Sequence, residues 1–221
     1  GAMPFILGET EARFTDAFFE AMSGFTTTGS TVLSSLDTLP RGLLLWRGMM
    51  QWFGGIGVVV VAMVFLPVLR VGGMQIFRTE GFDTFGKILP RAAEISRSIS
   101  IIYLTLTVLC LIAYSMAGMS FFDALVHSMT TIATGGFANY DTSFSNMGVA
   151  VEYVAVIFMI LAALPFVRYV QLIGGSLKSF VSDSQVRTFL ITAGIVTIIL
   201  IIWQINFVTN SYEFALRKAA F

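Results

Sequence analysis

Two short strings are the parts of this chain whose residue types suit chemistry. One reads Thr26, Thr27, Thr28, Gly29, Ser30; the other, at a constant offset of 107 residues, reads Ala133, Thr134, Gly135, Gly136, Phe137. The chemistry they suit is cation coordination. A permeating cation exchanges its water shell for oxygen ligands, which stacked backbone carbonyls supply at fixed spacing and threonine hydroxyls extend. Glycine permits the positive φ values that turn successive carbonyls to one side. Covalent catalysis has no comparable foothold, since no HExxH, GxSxG or acidic pair lies within an apolar stretch. The single cysteine, Cys110, and the single histidine, His127, exclude Cys-based redox motifs and a His/Cys metal site.

The segments that must position these strings repeat as well. FTDAFFEAMSGF precedes the first and FFDALVHSMTTI the second, with Asp16, Ala17 and Met22 in register with Asp123, Ala124 and Met129. Twelve residues rise about 18 Å as a helix, roughly half of a bilayer core, so each predicts a half-helix that enters and returns on one side. Asp16 and Asp123 are expected to cap the free N–H groups at the outer starts. Backbone that leaves the helix at membrane depth is tolerated where it is buried or lines a watery cavity. Glu20 and His127 align with one another behind the two strings. They are expected either to hydrogen-bond the loop backbone or to face the outer vestibule or a neighbouring helix.

Composition sets the solvent for all of this. Of 221 residues, 56% are hydrophobic and 12% charged, about half the charge of an average soluble domain. The partner implied is a lipid bilayer. Thirteen basic residues balance 13 acidic ones, which gives no electrostatic reason to expect nucleic acid. Apolar stretches at 42–69, 99–117, 148–173 and 188–208 predict four spanning helices. The fold class is therefore an all-α integral membrane protein with four spanning helices and two pore half-helices, arranged as repeated units of helix, half-helix, loop and helix. Arg47, Gln51, Glu152 and Arg168 are expected to snorkel from helix ends. Arg70, Arg78, Lys87, Arg91 and Arg97 in one connection, and Lys178 and Arg187 in another, predict cytoplasmic loops, whereas 118–147 carries no Lys or Arg and is expected outside. Gly54, Gly55 and Gly57 read as a helix-packing face rather than a nucleotide loop. Pro67 and Pro165 are expected to kink or end their helices.

This reading divides the chain into a tag scar and outer linker (1–13), a first unit (14–73), a cytoplasmic loop (74–98), a complete second unit (99–173), a further cytoplasmic loop (174–187) and the start of a third unit (188–221). Within the last, Ala219, Ala220 and Phe221 pair with Ala17, Phe18 and Phe19.

Four runs, AMSGFTTTGSTVL at 21–33, LLLWRGMMQWFGGIGVVV at 43–60, LPVLRVGGMQIFRTE at 66–80 and TIATGGFANYD at 131–141, resemble the potassium-translocating subunits of the Trk, Ktr and HKT superfamily, most closely its bacterial TrkH and TrkG members. The resemblance implies potassium as the transported ion, with Thr26–Ser30 and Ala133–Phe137 as two of four selectivity-filter loops around one axial pore. The second loop departs from the TTTG pattern in having Ala133 for a threonine and an additional glycine, Gly135. The resemblance further implies a multi-pass protein of the bacterial cytoplasmic (inner) membrane with filter loops facing outside. It implies a homodimer and a TrkA-like nucleotide-binding regulatory subunit docked on inner loops such as 70–98. On this basis the sequence is expected to be a piece of a longer subunit and not an enzyme. An alternating-access carrier is the competing reading, since such proteins are also built from repeats.

Overall fold

The computed structural model describes residues 1–8, 10, 12–69, 85–145, 147–175, 182–208 and 211–221, with side chains described except at 58–69 and 85–95. Arg70, Arg78 and Lys178, and the side chains of Pro67, Lys87 and Arg91, lie outside this set. Every regular element among the described residues is a helix. In chain order these are α1 (Met3–Leu7), α2 (Phe14–Phe25), a 3₁₀ turn (Leu36–Thr38), α3 (Arg41–Leu69), α4 (Phe85–Met116), α5 (Phe121–Ile132), α6 (Val149–Ala163), α7 (Phe166–Ile173), α8 (Ser184–Phe207) and α9 (Tyr212–Ala220). The two half-helices, α2 and α5, have the bounds expected from their sequence pattern.

Each half-helix leans on spanning helices through small residues. Ala17 and Ala21 of α2 pack with Leu43 and Met50 of α3, while Ala124 and Ile132 of α5 pack with Tyr103, Cys110 and Tyr114 of α4 and with Val151 and Ala155 of α6. Helix α3 runs between the half-helices on its glycines. A Cβ on Gly54 would stand 2.2 Å from the carbonyl oxygen of Phe25, and one on Gly55 2.8 Å from the Tyr103 hydroxyl and 3.1 Å from Ala133 Cα. In a membrane, where lipid competes equally for apolar surface, such close backbone approach is what holds helices together.

Several expectations are corrected. Residues 85–98 are not loop: α4 begins at Phe85 and continues into the apolar span 96–116. The third span is not one helix. Pro165 lacks an N–H and forces Leu164 into extended backbone (ψ 146°), so α6 ends there and α7 departs at 85°. The Tyr169 hydroxyl donates to the carbonyl of Leu161, 2.6 Å away, at this bend. The other expected spans are helical: Ser96–Met116 and Ser184–Phe207 are long and apolar enough to cross, a third crossing is added among the described residues if the bent pair counts as one span, and α3 (Arg41–Leu69) covers the first expected stretch. The 1–13 segment is more than a linker, because Phe5 of α1 is wholly buried against the α2 and α3 cluster and the Trp46 indole N–H donates to the Gly1 carbonyl at 3.0 Å. The Asp183 side chain caps α8 by accepting the Val186 N–H at 2.9 Å and pairs with Arg168 of α7. The Val186 N–H first, and Arg168 after it, hold this carboxyl below the usual range.

Helix α9 begins on a serine cap, as α5 does: the Ser211 side chain accepts the Phe214 N–H as that of Ser120 accepts the Asp123 N–H. Ala215 of α9, like Ala17 and Ala124, is fully buried.

Substituting Gly54 by alanine is expected to lower stability by about 1–3 kcal/mol, because the new methyl meets backbone that cannot yield. Gly57→Ala, where nothing lies within 4 Å, is expected to be neutral or stabilising by up to about 1 kcal/mol. Thermal unfolding of the detergent-solubilised protein distinguishes the two.

Candidate functional site

The two strings leave their half-helices by the same set of hydrogen bonds. The N–H groups of Thr26, Thr27 and Thr28 donate to the carbonyls of Met22, Gly24 and Ser23 at 2.8, 3.0 and 3.0 Å; those of Ala133, Thr134 and Gly135 donate to Met129, Thr131 and Thr130 at 3.1, 3.0 and 2.9 Å. Each donor and acceptor in the second set is the 107-residue counterpart of one in the first. Backbone angles repeat too. Thr27 and Gly29 have φ of 54° and 79°, Thr134 and Gly136 of 53° and 77°. A threonine in the left-handed region costs about 1–2 kcal/mol, yet both loops place one there. Alternating the sign of φ along the loop flips successive peptide planes relative to those of a strand, and the Ser30 carbonyl accepts the Ser23 hydroxyl at 2.5 Å. Sequence reasoning assigned positive φ to the glycines and missed the threonines. The pattern TxG at both places was the available signal.

The loops also touch. A Cβ on Gly29 would stand 1.8 Å from the carbonyl oxygen of Gly135. Thr26, Thr28, Ser30, Thr134 and Gly136 are exposed along this seam, while Ala133, Gly135 and Phe137 are buried. A cavity of about 230 Å³ lies beside the seam, lined by Thr26, Thr27, Thr134, Gly54, Gly55 and Tyr103 among others.

Glu20 and His127, both fully buried, meet the backbone just beyond each loop. Glu20 accepts the Val32 N–H at 3.1 Å and the Thr31 hydroxyl at 2.9 Å. Nε2 of His127 accepts the Asn139 N–H at 3.4 Å, and Val32 and Asn139 are again 107 apart. With Nε2 an acceptor, the ring proton sits on Nδ1 and is donated to the Asp123 carbonyl, 2.9 Å away. An anion and a neutral imidazole thus perform the same holding task in the two units.

Arg47 and Gln51 do not snorkel. Both are buried, one helical turn apart on the face of α3 that looks at the second loop. Arg47 Nε donates to Glu20 at 2.8 Å, its Nη1 donates to the Ala138 carbonyl at 2.8 Å, and its guanidinium lies 4.2 Å from the centre of the Phe137 ring. This arginine therefore ties the first half-helix to the second loop. Glu152 is buried as well; from α6 it holds Arg217 and, at 2.5 Å, Lys218 of α9. Arg168 alone of the four keeps partial exposure, in its pair with Asp183. The physical reason is common to the buried three: each sits where its helix passes another element that offers it a polar partner, although Arg47 Nη2 and Gln51 Nε2 remain without one.

The capping expectation also changes. Among the described contacts the Asp16 carboxylate meets only the hydroxyl of its neighbour Thr15, at 3.4 Å. Ser120 caps α5, and the Asp123 carboxylate instead accepts from the Ser120 hydroxyl, the Asn139 amide and the Tyr140 hydroxyl at 2.7, 2.9 and 3.1 Å. Burial acts to raise its pKa, but these hydrogen bonds outweigh it and hold the carboxyl below the usual range.

The model of the TrkH family, described as a cation transport protein, matches residues 1–216. The chain belongs to the TrkH family of cation transport proteins. That family is one of transport proteins and not of enzymes. The chain is 42% identical over 207 residues to the Trk system potassium uptake protein TrkI of Halomonas elongata, covering 93% of this chain and 42% of that protein. It is 41% identical over 222 residues to TrkH of Salmonella typhimurium, covering 98% of this chain and 45% of that protein. The crystal structure of the potassium transporter TrkH from Vibrio parahaemolyticus superimposes with a TM-score of 0.83 at 32% identity, over 100% of this chain and 46% of that one. This chain thus spans less than half the length of the TrkH relatives named here.

Breaking the Glu20–Arg47 pair from one side leaves a buried uncompensated charge, so Glu20→Gln and Arg47→Met are each expected to cost about 3–5 kcal/mol. The double variant is expected to cost less than the sum of the two. A double-mutant cycle on thermal stability measures that coupling.

Proposed function

We propose that this chain supplies two of four filter loops of a potassium pathway, with Thr26–Ser30 and Ala133–Phe137 as the ion-coordinating strings. The observation that carries this reading is the shared alternation of positive φ at Thr27 and Gly29 and at Thr134 and Gly136. Backbone of that kind offers oxygens spaced to replace a hydration shell. The cation enters dehydrated, held by carbonyls and by threonine hydroxyls, and leaves as the next ion arrives. The C-terminal ends of α2 and α5, where carbonyls carry partial negative charge, face the same region and favour a cation over an anion. The names of the relatives, potassium uptake proteins, support potassium as the ion.

On this reading the chain comprises a first unit, a complete second unit and the start of a third, with α9 as the third half-helix. The basic connections face the cytoplasm and the loops face outward, as the distribution of Lys and Arg favours. The membrane is the bacterial inner membrane, the full subunit pairs as a homodimer, and the connection at 70–98 receives a TrkA-like regulatory subunit.

The test is bi-ionic recording from the full-length protein in planar bilayers. Gly29→Ser and Gly136→Ser are both expected to bring the potassium-to-sodium permeability ratio toward one. The effect is expected to be larger at Gly29, where a side chain meets the Gly135 carbonyl in addition to an unfavourable φ; at Gly136 there is open space and only the backbone cost of about 1–2 kcal/mol. An unchanged ratio in both contradicts the proposal.

A further inference from the structure

Gln51 belongs to α3, the helix that follows the first loop, yet its hydrogen bond goes to the second. Its Oε1 accepts the N–H of Phe137 at 3.1 Å. The carboxamide is wedged beneath both glycines of the seam: a Cβ on Gly135 would stand 2.4–2.7 Å from its Cδ, Oε1 and Nε2, and one on Gly29 3.7 Å from its Nε2. The side chain is fully buried, and Nε2 has no hydrogen-bond partner.

A peptide unit is planar, and in its trans form the carbonyl points opposite to the N–H that follows it. Pinning the Phe137 N–H back onto α3 therefore fixes the Gly136 carbonyl in the contrary direction, away from α3. That direction leads to the open side of the loop, where Gly136 is exposed while Gly135 and Phe137 are buried. The buried Nε2 sharpens the point. An apolar side chain of the same length would fill the space without stranding a donor, so what the carboxamide adds is its acceptor.

We infer that Gln51 is a positioning residue for ion selectivity, acting across the seam between the first and second units by orienting the Gly136 carbonyl toward the ion path. It touches no ion itself. Glycine at 136, with a φ of 77°, has the freedom to let that peptide plane rotate, and without the Gln51 acceptor the carbonyl is no longer held. The inference rests on the filter reading above.

The experiment compares wild type, Gln51→Met and Gln51→Glu in the full-length protein under bi-ionic potassium and sodium. Methionine keeps the length and removes the acceptor; glutamate keeps an acceptor oxygen at the same reach. Gln51→Met is expected to lower the potassium-to-sodium permeability ratio about 3–10-fold, the factor that loss of one hydrogen bond allows, and Gln51→Glu to restore most of it. A selective wild type with an equally selective Gln51→Met overturns this assignment alone, whereas a wild type without preference overturns the filter reading and this assignment with it. Amide hydrogen exchange on the wild-type protein gives a readout free of variants. The Phe137 N–H is expected to exchange as slowly as those of α5, and exchange at the rate of an unprotected amide overturns the assignment.

Discussion

Backbone that abandons the helix at membrane depth must find a partner for every N–H, and that requirement organises this molecule. The first N–H groups after each half-helix are returned to its own last carbonyls. Those further on are taken by side chains behind the loops: Val32 by Glu20, Phe137 by Gln51, Asn139 by His127. With several N–H groups drawn backward and φ alternating in sign, loop carbonyls are left free to face forward, although that of Ser30 accepts the Ser23 hydroxyl at 2.5 Å and that of Ala138 accepts from Arg47. An oxygen-rich surface thus follows from satisfying the donors, and a cation is the ligand such a surface suits.

Helix α3 carries much of this arrangement. Its glycines admit the end of the first half-helix and the start of the second loop to near backbone contact, and its two long polar side chains then reach the second loop from a common face. Arg47 is a costly group to bury alone. Glu20, the Ala138 carbonyl and the Phe137 ring together surround it, so one cation couples the half-helix of one unit to the loop of the next. Glu152 performs the corresponding link from α6 to α9 with the charges reversed. The units are therefore fastened to one another at the level of the loops, where, on the proposed filter reading, a displacement of a fraction of an ångström would alter ion coordination.

The repeat, both half-helices and their bounds, and the loops themselves were legible in the sequence, because apolar length and an exact 107-residue register leave few alternatives. Less legible was what the polar residues inside spans do. Arg47 near a helix start reads as snorkelling unless one knows that α3 passes Glu20, a contact between positions 27 residues apart. The break at Pro165 was foreseeable in kind, but its 85° turn depends on how α7 packs against α4.

The central claim is that the two loops present their carbonyls to a common ion path. Anomalous diffraction from crystals of the full-length protein soaked in rubidium or thallium tests it most directly. The account predicts density on the exposed side of the seam, within coordination distance of backbone oxygens of Thr26–Ser30 and Ala133–Phe137. Heavy-ion density only away from these loops, with the loops themselves well ordered, would contradict it.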